Sequence, residues 1–461
     1  MAARDRIAVV LIHGMGEPRP METLRSFVAA VSGAEAPPAR SWSKPLDNPA
    51  LYDIRRIVME GSSSRPVVDF YEFYWAHLLQ GSTLDQLLRW AGDLFWRRIG
   101  TVPEHLKGVY RVGKGFAALA ALFVVLLVWW LFAQHTLSIV WPIVSGIITF
   151  IYGLASYFLL GTLADCARYL DTRPDNVAAR FAIQHAGVEL LQKLHDGEQY
   201  KRIVLVGHSL GAMIGYDVLR VAWQPFGRRF DPVAQRHLKA IKALSDAVRD
   251  QEAVPLTPAT YRPLQTAAWD EHIANGGHWR VTDYITLGNP LAHAALLMAS
   301  SPADLEARKT GRELSTCPPT WDMKYGITRN VPVTPPAARP AVRAPDHASV
   351  FALTRWSNFY CPSRYVLDGD FLSGPLGPVF GAGIEDVEVH NPTDALLGMH
   401  TAYWVPRAGT AKAGDPLPAL IERLDLTGRI DGRKTLTADA PADDEPEADE
   451  LPAADEEEPP I

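Results

Sequence analysis

Short apolar runs alternate with helical periodicity through most of the chain. The runs lie at residues 7–12, 67–71, 202–206 and 284–287 and on the approach to Asn358. Such runs are typical of strands that are buried on both faces of a parallel sheet. Apolar residues recur at helical spacing between these runs, over residues 174–194 and 210–222. The alternation predicts a doubly wound α/β fold with a mostly parallel sheet.

One long apolar stretch interrupts this pattern. Residues 115–164 contain no Asp, Glu, Lys or Arg, whereas 21% of the whole chain is charged. A bilayer core requires about 20 apolar residues for each helical span. The stretch divides into residues 116–133 and 137–161, joined by a short polar turn at 134–136. We therefore predict an inserted two-helix transmembrane hairpin, and the alternative is a helical hairpin buried in a soluble core or an oligomer interface.

Basic residues flank this hairpin on both sides, and its turn has none. They are Arg97, Arg98, Lys107, Arg111 and Lys114 before it and Arg168, Arg173 and Arg180 after it. The positive-inside rule then predicts a protein of the cytoplasmic membrane with two spans, whose soluble part faces the cytoplasm. Upstream, residues 84–99 carry an apolar stripe that predicts an amphipathic helix on the membrane face, with a core-facing helix as the alternative.

Composition excludes several classes of protein. The chain has 461 residues, 48% of them hydrophobic, which is ample for a large core. Its three cysteines, Cys166, Cys317 and Cys361, form no CxxC pair, which argues against a disulfide framework and a structural zinc site. The formal net charge of −7 becomes +4 without the eleven acidic residues that follow Ala438. That small and scattered excess does not indicate nucleic-acid binding.

A serine lies between glycines at a predicted strand-to-helix turn. The motif GHSLG occupies residues 207–211, directly after the run RIVLV and directly before a helical segment. A turn this sharp displays the serine hydroxyl above the sheet, and the amides at the helix start favour a developing oxyanion. We therefore predict Ser209 as a nucleophile and the amide of Leu210 as an oxyanion donor. The alternative is a turn whose serine only caps the helix.

A second glycine turn follows the first predicted strand, in the sequence LIHGMG at residues 11–16. Glycine lets the backbone approach a ligand closely. The amide of Met15 or Gly14 is the candidate for the second oxyanion donor. An ordinary strand-to-loop turn is the alternative interpretation.

Together these motifs resemble the α/β-hydrolase superfamily of serine esterases and lipases. LIHGMGEPRP at residues 11–20, YEFYWA at 71–76, the apolar hairpin, GHSLG and TLGNPL at 286–291 are similar to bacterial membrane-associated members of its lipase-like branch. The resemblance implies an α/β-hydrolase fold and the chain order nucleophile, acid, histidine.

The resemblance, the composition and the patterning together suggest how the chain is divided. Residues 1–80 and 166–436 are expected to form the two parts of one α/β-hydrolase domain. Residues 81–165 would hold the amphipathic helix and the transmembrane hairpin, and residues near 224–280 would form a helical cap. Residues 437–461 are rich in Ala, Pro, Asp and Glu and predict a disordered acidic tail.

His400 is the predicted general base. The resemblance places this histidine in a loop after the last strand and before a C-terminal helix, where His400 lies. His390, at the end of the strand-like residues 387–389, is the alternative base. His293 and His347 are interpreted as structural or surface groups, and His208 as a neighbour of the nucleophile that faces the wrong way for a base.

Asp370 is the predicted acid. The resemblance implies an acidic residue soon after NFY at 358–360, followed by Gly-Pro-Leu, but Arg364 stands where a count from the strand would place it. A count back from the GPL at 374–376 selects Asp370 and implies a few inserted residues. Asp368 is the alternative acid. Three further carboxylates stay open: Asp283, Asp386 and Asp394.

These residues predict a membrane-anchored serine hydrolase that cleaves carboxylic esters of a lipid or another acyl compound through an acyl-enzyme. The expected partners are that substrate and the bilayer, with no nucleic acid, and the chemistry requires no metal or organic cofactor. Two alternatives are a non-catalytic membrane-tethered adaptor with the same fold and an acyltransferase that uses the same triad.

Overall fold

The computed structural model describes the α/β body of the chain. It covers residues 6–15, 19–33, 39–45, 55–62, 65–79, scattered helical positions between 107 and 146, and residues 168–170, 174–197, 199–227, 238–324, 326–331, 342–363, 369–392, 398–410 and 412–426. The predicted amphipathic helix, most of the hairpin and the acidic tail lie outside the described residues. Within those described ranges, no helix is both long and apolar enough to cross a bilayer.

Eight strands form the central sheet in the order β10-β9-β6-β5-β1-β4-β3-β2. They are β1 (Arg6–Ile12), β2 (Ser41–Pro45), β3 (Arg55–Met59), β4 (Val67–Phe73), β5 (Tyr200–His208), β6 (Val281–Leu287), β9 (Arg355–Tyr360) and β10 (Glu385–Glu388). A separate antiparallel pair joins β7 (Thr328–Val331) to β8 (Val342–Pro345). All neighbours from β4 to β10 pair in parallel, so the mostly parallel α/β sheet predicted from the sequence is confirmed.

Helices cover both faces of this sheet. They are α1 (Glu22–Gly33), α2 (Pro174–Asp196), α3 (Leu210–Ala222), α4 (Lys239–Arg249), α5 (Pro258–Ala274), α6 (Ala294–Leu297), α7 (Pro302–Thr310), α8 (Gly377–Phe380) and α9 (Pro416–Leu424). Apolar side chains of α2 to α5 share one core with the sheet, and those of α1 and α9 share the other.

Strand β1 shows why its residues form a central strand. Alternate side chains contribute to opposite cores: Ala8, Val10 and Ile12 to one, Ile7, Val9 and Leu11 to the other. A strand that is buried on both faces needs apolar residues at every position. The continuous run IAVVLI meets that requirement.

Two strands at one edge were not predicted. Strand β3 pairs antiparallel with β4, and β2 pairs antiparallel with β3. Their sequences, SWSKP and RRIVM, mix charged and polar residues with a few apolar ones. Strand β2 is the edge strand, which needs no continuous apolar run, and β3 offers only the three buried apolar residues Ile57, Val58 and Met59.

In its described part, residues 224–227 and 238–280, the expected cap segment contains α4 and α5. Leu244 of α4 and Tyr261 of α5 belong to the same core as β1 and β5, and Arg262 of α5 donates to Ser357 of β9 at 2.6 Å. Residues 228–237 lie outside the described ranges. The described part of this segment therefore shares the core of the sheet, and the cap stays a prediction.

Parallel strands bring the loops that carry the motifs to one edge. Strands β1, β5 and β6 all end there, at Ile12, His208 and Leu287. Loops at the carboxyl ends of parallel strands are the usual location of binding sites in α/β folds. The candidate site is assembled at this edge.

Candidate active site

Ser209 lies at the turn between β5 and α3, in a strained backbone conformation. Its φ is 54° and its ψ is −125°, a region that residues other than glycine rarely adopt. The backbone N–H of Ser209 donates to the carbonyl of Leu287, 2.9 Å away, which ties the turn to the end of β6. The side chain is only 1% exposed. The turn therefore has the geometry of a nucleophile elbow.

Gly211 allows helix α3 to begin directly against the end of β1. A Cβ at this position would lie 2.3 Å from the carbonyl oxygen of Ile12 and 2.4 Å from that of His13. Any larger residue would push the helix away from the strand. This close packing brings the loop after β1 next to Ser209.

Three side chains form a hydrogen-bonded chain at the elbow. His400 Nε2 lies 2.8 Å from Ser209 Oγ, and His400 Nδ1 lies 3.0 Å from each carboxylate oxygen of Asp370. A carboxylate can only accept, so Nδ1 carries the hydrogen and Nε2 presents a lone pair to the serine hydroxyl. The arrangement can therefore accept the seryl proton as the oxygen attacks.

The carboxylate of Asp370 is buried and held by two further donors. Tyr403 Oη donates to Oδ2 at 2.7 Å, and the backbone N–H of Leu372 donates to Oδ1 at 3.1 Å. Burial acts to raise the pKa of Asp370, but the neighbouring His400 and the hydrogen bonds from His400, Tyr403 and Ser373 outweigh it and lower this pKa below its ordinary value. Asp370 is therefore ionised at neutral pH.

Gly288, directly after β6, lies beneath this group. Its φ is +63°, and a Cβ there would lie 2.9 Å from Tyr403 Cε2, 3.0 Å from Asp370 Oδ2 and 3.2 Å from His400 Cε1. Both the backbone conformation and the space require glycine. The TLGNPL motif thus supplies the surface on which Asp370, His400 and Tyr403 pack.

The loop after β1 approaches Ser209 through Gly14. A Cβ on Gly14 would lie 3.0 Å from Ser209 Cβ, so the backbone of this loop borders the nucleophile. Met15 continues the same loop. Leu210, directly after Ser209, is the first residue of α3, where a backbone N–H has no acceptor within the helix. Of the residues predicted as oxyanion donors, Gly14 and Leu210 therefore border Ser209.

His13 and Trp75 hold this loop in place. Trp75 Nε1 donates to the carbonyl of His13 at 2.9 Å, and the two rings stack at 4.8 Å. His13 Nδ1 donates to the carbonyl of Gly14 at 2.8 Å, while Nε2 accepts from the Trp75 backbone N–H at 3.3 Å. Burial lowers the pKa of His13 to about 4. The ring is therefore a neutral structural group.

No protein-family model, curated protein or solved structure matches this chain.

The alternative base and acids occupy other positions. His390 is exposed and packs against Gly414, whose carbonyl accepts the backbone N–H of His390 at 2.8 Å.

Among the alternative acids, Asp283 pairs with Arg202 and Arg355, at 2.8 Å and 2.7 Å, near the amino ends of the strands. Asp386 instead accepts hydrogen bonds from Asn358, Leu376 and Gly377. Asp368 and Asp394 lie outside the described residues, as does Gly16.

The two histidines interpreted as structural or surface groups make other contacts. His293 Nε2 lies 3.0 Å from the carbonyl of Phe371, and the carbonyl of His347 accepts from Gln224 at 2.8 Å. Across the described ranges, no group of three His, Cys, Asp or Glu side chains could hold a metal ion.

Sequence reasoning did not identify two partners in the site. Tyr403 binds the Asp370 carboxylate, and the spacing H-x-x-Y-W at 400–404 was the available signal. His208 contacts the carbonyl of His400, although its sequence position beside Ser209 suggested only that it faces away from the nucleophile.

Proposed function

We propose that this chain is a membrane-anchored serine hydrolase that cleaves carboxylic esters of lipids or other acyl compounds. The observation that supports it most directly is the continuous chain of hydrogen bonds from Ser209 through His400 to Asp370, with distances of 2.8 Å and 3.0 Å. A seryl oxygen, an imidazole nitrogen within hydrogen-bond distance of it and a buried carboxylate in this order are the parts that acyl transfer requires.

In the proposed reaction, Ser209 Oγ attacks the ester carbonyl carbon while its proton moves to His400 Nε2. The C–O bond to the leaving alcohol then breaks, and His400 returns the proton to that alcohol. Water attacks the resulting acyl-enzyme with the same proton transfers and releases the acid. Asp370 holds His400 in the required tautomer and stabilises its charged form.

Backbone amides would stabilise the negative charge on the carbonyl oxygen. Leu210 offers its amide at the start of α3, and Gly14, in the loop that continues to Met15, borders Ser209. Each such donor typically contributes about 10²- to 10³-fold to the rate.

Chain order also supports an α/β-hydrolase fold. The nucleophile follows β5, the acid follows β9 and the histidine lies between β10 and α9, all at the carboxyl edge of a mostly parallel sheet. The order matches that of the superfamily which the motifs resemble.

The position of the insertion supports action near a membrane. The segment that holds the predicted hairpin leaves the body at Leu79, just after β4, and returns at Arg168, whose guanidinium donates to the Leu79 carbonyl. Strand β4 runs parallel to β1, so it ends at the edge where Ser209 lies. A hairpin in the bilayer would therefore bring the site towards the lipid surface, where an acyl ester substrate would be available.

The nucleophile is tested with the variant Ser209→Ala. The detergent-solubilised wild-type chain should react with a fluorophosphonate probe and hydrolyse short acyl esters, and the variant should do neither. A wild-type chain that never labels would contradict the enzyme and favour the adaptor. Product analysis with an added alcohol distinguishes hydrolysis from acyl transfer.

The anchor is tested separately by alkaline carbonate extraction of membranes. The full chain should stay in the pellet, and a variant that lacks residues 116–161 should be extracted. Release of the full chain would contradict membrane insertion and leave the hydrolase proposal intact.

A further inference from the structure

His208, the residue directly before the nucleophile, forms a hydrogen bond across the site. Its side chain is buried, and Nε2 lies 2.6 Å from the backbone carbonyl oxygen of His400. A carbonyl can only accept, so the hydrogen is on Nε2 of His208. The bond joins the elbow to the loop that carries His400, 192 positions later in the chain.

The imidazole of His208 also packs against neighbouring segments of the site. Its ring centroid lies 5.1 Å from that of His400, 6.2 Å from that of Tyr403 and 5.1 Å from that of Trp404, which it meets edge-on. On another side, a Cβ on Gly14 would lie 2.7 Å from His208 Nδ1. One side chain therefore contacts the loop after β1 and the loop of residues 398–404.

His208 stays neutral, which excludes a role as a proton acceptor at Nε2. Burial, followed by repulsion from His400, lowers the pKa of His208 to about 3, although Asp370 and the bond to the His400 carbonyl act in the opposite direction. A neutral ring with its hydrogen on Nε2 is a fixed donor through the physiological pH range.

We propose that His208 is a positioning residue, which holds the His400 carbonyl so that His400 Nε2 stays within reach of Ser209 Oγ. The proposal rests on the hydrolase function proposed above and deepens it. Reacting groups must be held within a fraction of an ångström of their productive positions, because a displacement of about 1 Å can lower a reaction rate by about 10²-fold. The bond involves no substrate atom, so its loss should lower kcat and leave KM nearly unchanged.

Two substitutions separate the hydrogen bond from the volume of the ring. His208→Leu fills similar space without a donor, whereas His208→Gln keeps an amide N–H at comparable reach. The readouts are the rate of fluorophosphonate labelling, kcat and KM for a short acyl ester, and the melting temperature. We expect His208→Leu to lower the labelling rate and kcat by about 10- to 100-fold, and His208→Gln to restore most of that loss.

His195 provides the matched control. It is another buried imidazole that is bonded to a backbone carbonyl, with Nδ1 2.7 Å from the oxygen of Leu191, and burial lowers its pKa to about 4. It lies at the end of α2, near the start of β6, where Nε2 accepts from the Arg280 backbone N–H. We expect both His195→Leu and His208→Leu to lower the melting temperature. Only His208→Leu should lower the labelling rate, so folded His195→Leu should label as fast as the wild type.

The proposal is overturned if His208→Leu labels as fast as wild type, or if His208→Gln folds and labels no faster than His208→Leu. Should His208→Leu not fold, His208→Gln is compared with His208→Asn, whose amide is too short to reach the His400 carbonyl. Equal rates for that pair would overturn the proposal in the same way. A wild-type chain that does not label would instead contradict the hydrolase function itself.

Discussion

The carboxylate of Asp370 orients His400 by accepting the hydrogen from its Nδ1. In Asp370→Asn, the amide can donate to Nδ1 and would favour the tautomer that leaves no lone pair facing Ser209. We expect kcat for a short acyl ester to fall by about 10⁴-fold. The melting temperature should change little, because an Asn oxygen can still accept from Tyr403 or Leu372.

Asp386 is the control for that substitution. It is a partly buried carboxylate, and it accepts from the backbone N–H groups of Leu376 and Gly377, both at 2.8 Å. Asp386→Asn should lower stability and keep the wild-type kcat. If Asp386→Asn lost as much activity as Asp370→Asn, or if Asp370→Asn stayed fully active, Asp370 would not be the acid.

Gly288 offers a second test at the level of one residue. In Gly288→Ala, the new methyl group would meet Tyr403, Asp370 and His400, at 2.9 to 3.2 Å. We expect kcat to fall by about 10- to 100-fold, because the triad must shift by a substantial part of an ångström. Gly409→Ala is the comparison, since Gly409 also has a positive φ, +91°, but nothing lies within 4 Å of its Cβ position. Equal activity of the two variants would contradict the role of Gly288.

The sequence identifies individual side chains better than it identifies their partners. Ser209 follows from a local pattern, because the elbow needs glycines within two residues of it. His400 and Asp370 follow from resemblance and chain order, and the altered spacing after NFY left Asp368 open. The bonds of Tyr403 to Asp370 and of His208 to His400 join residues 33 and 192 positions apart. Such pairings depend on how distant segments pack, which no local pattern records.

At the scale of elements, the loops after β1 and β4 are joined by the bond from Trp75 Nε1 to the His13 carbonyl. Trp75→Phe keeps most of the aromatic volume and removes that donor. We expect it to lower the free energy of unfolding by about 1 kcal/mol. We also expect kcat to fall by about 10-fold, which is less than the loss from deleting an oxyanion donor. Denaturant unfolding and steady-state kinetics measure the two effects.

Trp279→Phe distinguishes a loop effect from a general loss of stability. Trp279 is also fully buried, and its Nε1 donates to Thr354 Oγ1 at 2.8 Å, in the core beneath α5. The two variants should lose similar stability, and only Trp75→Phe should lose kcat. A parallel loss of kcat in both would show that the link between the two loops has no specific role.

Strands could be predicted from the sequence where burial on both faces of the sheet requires a continuous run of apolar residues. Strands β1 and β5 contain the continuous apolar runs IAVVLI and IVLV because helices cover both faces of the sheet. Strand β2 lies at the open edge, where charged side chains are compatible with pairing, and the neighbouring β3 has an apolar run of only three residues, so the sequence indicated neither.

At the scale of the whole molecule, four buried histidines make stability depend on pH. Burial lowers the pKa of His13 and His195 to about 4 and that of His208 and His272 to about 3. In the unfolded chain each should titrate near the ordinary value of about 6.5. Between these limits the unfolded chain binds protons that the folded chain does not. The free energy of unfolding therefore falls as the pH drops from about 6.5 towards 4.

Each of these protons changes the free energy of unfolding by about 1.4 kcal/mol per pH unit, so four give a slope of about 5 kcal/mol per pH unit near pH 5. Denaturant unfolding of the detergent-solubilised chain at pH 5, 6 and 7 measures that slope. His195→Gln should reduce it by about a quarter, because glutamine binds no proton in either state. The same slope in His195→Gln as in the wild type would mean that the fold does not hold this imidazole neutral.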